Sequence, residues 1–161
     1  MPTWIYNDGG RQEAGFRGET GDCVVRAIAI ATGIPYREVY DELHDASREW
    51  NHKRRVSAQR KTRFNASPRS GVRREVYDQY LKKRGWAWVP RMGIGTGCKV
   101  HLSADELPSG PIVVRVSKHL VCCINGIIQD LHDCSRNGTR CVYGYYYKPP
   151  TVRGVAHKER S

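Results

Sequence analysis

The segment 117-SKHLVCCINGIIQD-130 decides how this chain is read. Apolar and β-branched residues flank Asn125-Gly126 on both sides, the strongest short-range signal for a two-residue hairpin. With that turn Ile124 faces Ile127, and counting outward places Val121 opposite Asp130. His119, Val121 and Asp130 then share one face, and Asp130 is the diagonal neighbour of His119 at a Cβ distance of roughly 7 Å or somewhat less. Asp133 has the opposite parity and points away. His132 falls directly opposite His119 and rivals it, ranked lower because the ladder is expected to end near there. A carboxylate beside an imidazole fixes its tautomer and leaves the other ring nitrogen free to act on a partner. Cys122 and Cys123, being adjacent in a strand, point to opposite faces as small hydrophobes.

A partner is offered upstream, in 18-GETGDCVVRAIAIATG-33. Val24, Ala27, Ile28 and Ala31 recur at helical spacing and Gly33 stands where a helix would stop, so Cys23 falls in the first turn of a short buried helix. Thr20 and Asp22 are the candidate caps. A thiol there gains thiolate character from the helix N-terminus, and the unpaired N–H groups of the first turn suit a developing oxyanion.

Further elements follow by the same rules. Pro35 suits the start of a helix over 35–50 carrying Tyr36, Val39, Tyr40 and Leu43 on one stripe. Val72, Val76, Tyr80 and Leu81 mark another helix that ends at Gly85. WAWVP, PIVVRVSKHLVCCI, IIQDLHD and CVYGYYYKP then read as three or four antiparallel strands. Helices first and sheet second define an α+β class. The 161 residues suit one domain over 1–149, interrupted at 53–71 by a basic loop or lid and followed by a polar tail over 150–161.

The formal charge of +11 fits a nucleic-acid footprint, an acidic protein partner or a solvated surface. Arg54, Arg55, Arg60 and Lys61 are the candidate basic surface, with Trp50 and Phe64 available for stacking on bases. No stretch approaches the ~18 apolar residues of a membrane span, and the N-terminus lacks a basic and an apolar leader region, so a cytoplasmic protein with six free thiols is expected. Cys98, His101, Cys134 and Cys141 are conceivable zinc ligands, but their spacing is poor and no metal is expected. The glycines at 93–97 lack the Lys-Ser or Lys-Thr of a phosphate loop and are expected to form a rim loop beside the site.

DCVVRAIAIATG followed later by SKHLVCCINGIIQD resembles the papain-like cysteine peptidases of the compact bacterial and bacteriophage kind, over residues 15–147. The resemblance implies a papain-like fold, Cys23 as nucleophile, His119 as base and acid, Asp130 as its orienter, no cofactor, and a protein or peptide substrate. Isopeptidase, deamidase and transferase chemistry share the same acyl-enzyme. A likeness to small phage-encoded proteins implies the cytoplasm of an infected bacterium. Where that family carries a Gln about six residues before the Cys, this chain has Arg17, so either Arg17 or the backbone, steadied by Asp22, completes the oxyanion site. The alternative is the same fold without catalysis, serving as a basic nucleic-acid- or host-protein-binding protein.

Overall fold

An apolar run closed by a glycine folds as expected: in the computed structural model, helix α1 spans Cys23–Thr32 and stops on Gly33. Gly33 takes φ 77° and its N–H meets the Ala29 carbonyl at 3.0 Å, a left-handed stop that a β-carbon would strain. The structure describes residues 4–16, 22–58, 71–93 and 95–150, with the side chains of 54–58 outside the description.

Because Val24, Val25, Ala27, Ile28, Ala29 and Ala31 leave no polar face, α1 is buried nearly all round. It packs on helix α2 (Tyr36–Ala58) on one side and on the sheet on the other. Tyr36, Val39 and Leu43 of α2 and Val76, Tyr77, Tyr80 and Leu81 of helix α3 (Arg74–Lys83) face the same core. The expected basic loop begins later than the composition suggested, because α2 continues through Lys53 and the backbone of Arg54 and Arg55 to Ala58. No Gly or Pro intervenes there to stop it, and Lys53 Nζ pairs with Glu49 Oε1 one turn back at 3.1 Å. Arg60, Lys61 and Phe64 lie outside the described residues, as do Arg17 and Thr20, and so does the tail beyond residue 150.

The sheet has six strands, β1 (Trp4–Tyr6), β2 (Ala87–Pro90), β3 (Pro111–Val116), β4 (His119–Ile124), β5 (Ile127–Asp130) and β6 (Val142–Tyr147), in the order β1-β5-β4-β3-β6-β2. The β4–β5 hairpin has the expected register, with Ile124 opposite Ile127 and Cys122 opposite Gln129. Two features differ from the sequence reading. The run PIVVRVSKHLVCCI divides into β3 and β4 at Ser117-Lys118, where Lys118 adopts φ 56° without the glycine that would have announced a turn. The polar N-terminus contributes a strand, because the aromatic and β-branched triplet Trp4-Ile5-Tyr6 pairs in parallel with β5, making the sheet mixed.

One core lies between helices and sheet, built on Val25, Ile28, Leu43, Leu81, Val113, Cys122 and Tyr146. A second covers the opposite face with Ile112, Val114, Val121, Cys123, Ile128 and Tyr145 under the Leu102 loop, so the two adjacent cysteines do serve opposite faces.

The expectation of six free thiols is overturned. Cys98 and Cys141 form a disulfide, leaving Cys23, Cys122, Cys123 and Cys134 free. The Cys98 loop runs along the start of β6, with Val142 N–H donating to the Val100 carbonyl and Leu102 N–H to the Arg140 carbonyl, both at 2.8 Å. That pairing sets the two Cα atoms 5.6 Å apart, within disulfide reach. No helix among the described residues is long and apolar enough to cross a membrane.

Candidate active site

Three elements converge on one end of the sheet: the first residue of α1, the first of β4 and the last of β5, which are Cys23, His119 and Asp130. His119 Nε2 meets Asp130 Oδ2 at 2.7 Å, as the hairpin parity requires, and Cys23 and His119 line the same cleft, near enough for ring and thiol to interact electrostatically. His119 shares strand parity with Val121 and Cys123, on the face away from the helices. It still meets α1 because β4 begins there, so no strand residue precedes it to hold the ring to one face. His132, the rival, lies beyond the end of β5 with its ring centroid 6.1 Å from that of His119.

Asp130 is buried, and its burial would favour the neutral acid, but the hydrogen bond and positive charge of His119, the Leu131 N–H at 2.8 Å and the Arg26 guanidinium at 3.3 Å hold its carboxyl below the usual range. For His119, burial pulls the ring down, and the hydrogen bond to Asp130, with the nearby Cys134 and Cys23 sulfurs, outweighs it and raises it well above its ordinary value. Burial likewise pushes the Cys23 thiol up. His119, the Leu120 N–H and the charge of Arg26 overcome that and lower it. Both directions favour a thiolate–imidazolium pair.

Asp22, expected as a cap, opens α1 but makes no side-chain cap bond. Its fully buried carboxylate turns inward to accept from the Arg26 guanidinium and from Tyr36 Oη at 2.5 Å, and forms an ion pair with Arg11 Nε at 3.2 Å. Arg26 in turn spans from Asp22 to Asp130, so the residue preceding Cys23 and the carboxylate behind His119 share one cation. Sequence reasoning passed over Arg26, although one charged side chain in an otherwise apolar helix, four residues after Asp22, was a signal for such a pair.

Cys134 is the other side chain not foreseen here. It is buried against the ring, and one ligand atom each of His119, Asp130 and Cys134 lie within 4.8 Å of one another, a donor set capable of holding a soft divalent ion. The four zinc candidates do not assemble, since Cys98 and Cys141 are joined and His101 Nδ1 faces Glu106 at 3.1 Å.

In front of the thiol lies a cleft of about 530 Å³ lined by Val24, Tyr77, Arg115, Lys118, His119 and His132 among others. The first turn of α1 opens onto it with the N–H groups that a helix start leaves unpaired. Of the glycines at 93–97, Gly93 lines a smaller hollow that shares Arg74 and Arg115 with the cleft, and none of the three lines the cleft itself. No family model, curated protein or solved structure matches the chain, so the site is read from its own geometry.

Proposed function

We propose that this chain is a papain-like cysteine hydrolase acting on peptide bonds. The observation that carries the reading is Cys23 at the start of a buried helix, in one cleft with a His119 ring whose Nε2 is held 2.7 Å from the buried Asp130. In the cycle, Cys23 Sγ⁻ attacks the acyl carbon, forming a C–S bond, and the oxyanion is met by N–H groups of the first turn of α1. The His119 imidazolium gives its proton to the departing amine as the C–N bond breaks, leaving a thioester and a neutral ring. Water then adds to the thioester, its proton passing to His119. The C–S bond breaks to release the acid and restore the thiolate.

The test is the rate of Cys23 alkylation by iodoacetamide against pH, read by mass spectrometry in the wild type and in His119→Ala. Rapid labelling persisting below the ~8.5 of an ordinary thiol, slowed on the order of 10- to 100-fold near pH 6 by the substitution, is the expected result. Slow labelling that ignores His119 would overturn the assignment.

A further inference from the structure

The cleft in front of Cys23 is one-sided in charge. Arg74, Arg115 and Lys118 line it, and no carboxylate does among the described residues. Arg26 also reaches it but is already paired with Asp22 and Asp130. Arg74 and Arg115 have no ion pair among the described residues. Asp78, one turn along α3, is occupied by Tyr146 Oη at 2.6 Å and Lys82 Nζ at 2.9 Å. Arg74 is moreover the first residue of α3, where the helix dipole disfavours a cation and favours an anion. An anion placed beside Arg74 therefore gains from the guanidinium and from the helix end together.

Both arginines are held in place by aromatic faces, Arg74 Cζ lying 5.5 Å from the Trp88 ring centroid and Arg115 Cζ 5.5 Å from that of Tyr143. The same two side chains line a second hollow of about 280 Å³ with Trp88, Pro90, Met92 and Tyr143. They thus form the partition between the thiol and an adjoining, largely apolar recess. Tyr77 on α3 lines the same cleft as the two arginines and Cys23.

We propose that the site selects acidic peptides, with Arg74 and Arg115 binding a carboxylate side chain next to the scissile bond and the recess holding the apolar neighbour of that residue. This rests on the cysteine-hydrolase reading above. A peptide fits better than a nucleic acid because the half-buried rings of Trp88 and Tyr143, on which bases would need to stack, each already carry a guanidinium group.

The experiment compares alkylation of Cys23 by anionic iodoacetate and neutral iodoacetamide in the full chain, with N-acetylcysteine as reference. The iodoacetate-to-iodoacetamide rate ratio is expected to exceed the reference on the order of 10-fold and to collapse toward it in high salt. Arg74→Gln/Arg115→Gln should abolish the preference, and Arg74→Lys/Arg115→Lys should retain much of it. The salt arm needs no variant, so misfolding of either pair cannot mask the result. A glutamate-rich peptide should protect Cys23 from iodoacetamide, whereas its glutamine counterpart and a single-stranded oligonucleotide should not. Fast iodoacetamide labelling with a reference-like ratio would overturn acidic selection while leaving the thiol reading intact. Protection by the oligonucleotide rather than the acidic peptide would overturn it in favour of nucleic acid, and slow labelling by both reagents would remove the reading on which it rests.

Discussion

Arg26 connects the two halves of the site. Removing it leaves Asp22 and Asp130, both buried, without their shared cation. Arg26→Met should therefore cost about 3–5 kcal/mol in urea unfolding, and it should also displace the pH profile of Cys23 alkylation, which a merely structural residue would leave in place. Asp130 permits a second test by pH. Its carboxyl is lowered in the folded chain, so the stabilisation it provides is present above the unfolded value of ~3.9 and is lost as pH falls through the folded one. His119 is raised, so its contribution is full below ~6.5 and declines as pH rises toward the folded value. In Asp130→Asn both limbs of the stability curve against pH should flatten, and a variant whose acid limb matched the wild type would show that the pair does not couple to folding.

At the scale of elements, what was legible followed from periodicity and turn chemistry. Asn125-Gly126 set a register, the register set parity, and parity placed Asp130 rather than Asp133 behind His119. What was not legible lacked a local signal. Ser117-Lys118 turns without glycine, Trp4–Tyr6 is too short to show a period, and α2 outruns its apolar stripe because nothing halts it. The approach of His119 to Cys23 depends on β4 beginning at that residue, a tertiary fact that strand parity argues against. One close contact makes the β2–β6 pairing testable. A β-carbon on Gly144 would lie 2.6 Å from the Val89 carbonyl oxygen and meet the Trp88 ring as well. Gly144→Ala should consequently cost about 1–3 kcal/mol and alter tryptophan emission as β2 shifts, whereas an unchanged melt and spectrum would show that the edge strand yields freely.

For the molecule as a whole, the Cys98–Cys141 bridge closes a loop over a sequence separation of 43 and fastens the segment covering the second core to the start of β6. In the chain-entropy account a loop of that size is worth about 4 kcal/mol, so Cys98→Ser/Cys141→Ser should melt on the order of 10 °C lower than the oxidised wild type. Reductant should lower the wild type to match and leave the variant unmoved, and no difference between them would show that the bridge constrains little. The α+β class and the meeting of His119 with Asp130 were foreseeable from order and spacing, but this cross-link was not, since nothing in the sequence distinguishes Cys98 and Cys141 from the four cysteines that remain free.

The pairing of β1 with β5 bears on how the protein comes to exist. Trp4 Nε1 and Asn7 N–H both donate to the Asp130 carbonyl, the first across 126 positions, and Arg26 reaches the same residue across 104. A ribosome delivers the thiol and Arg26 early and His119 and Asp130 late, so a nascent or truncated chain carries Cys23 without either of those partners. Such long-range closure is slow to form compared with local helices. Under the proposed mechanism, activation of Cys23 therefore waits until β4 and β5 have been made and paired, and a shorter copy needs no inhibitor to restrain it.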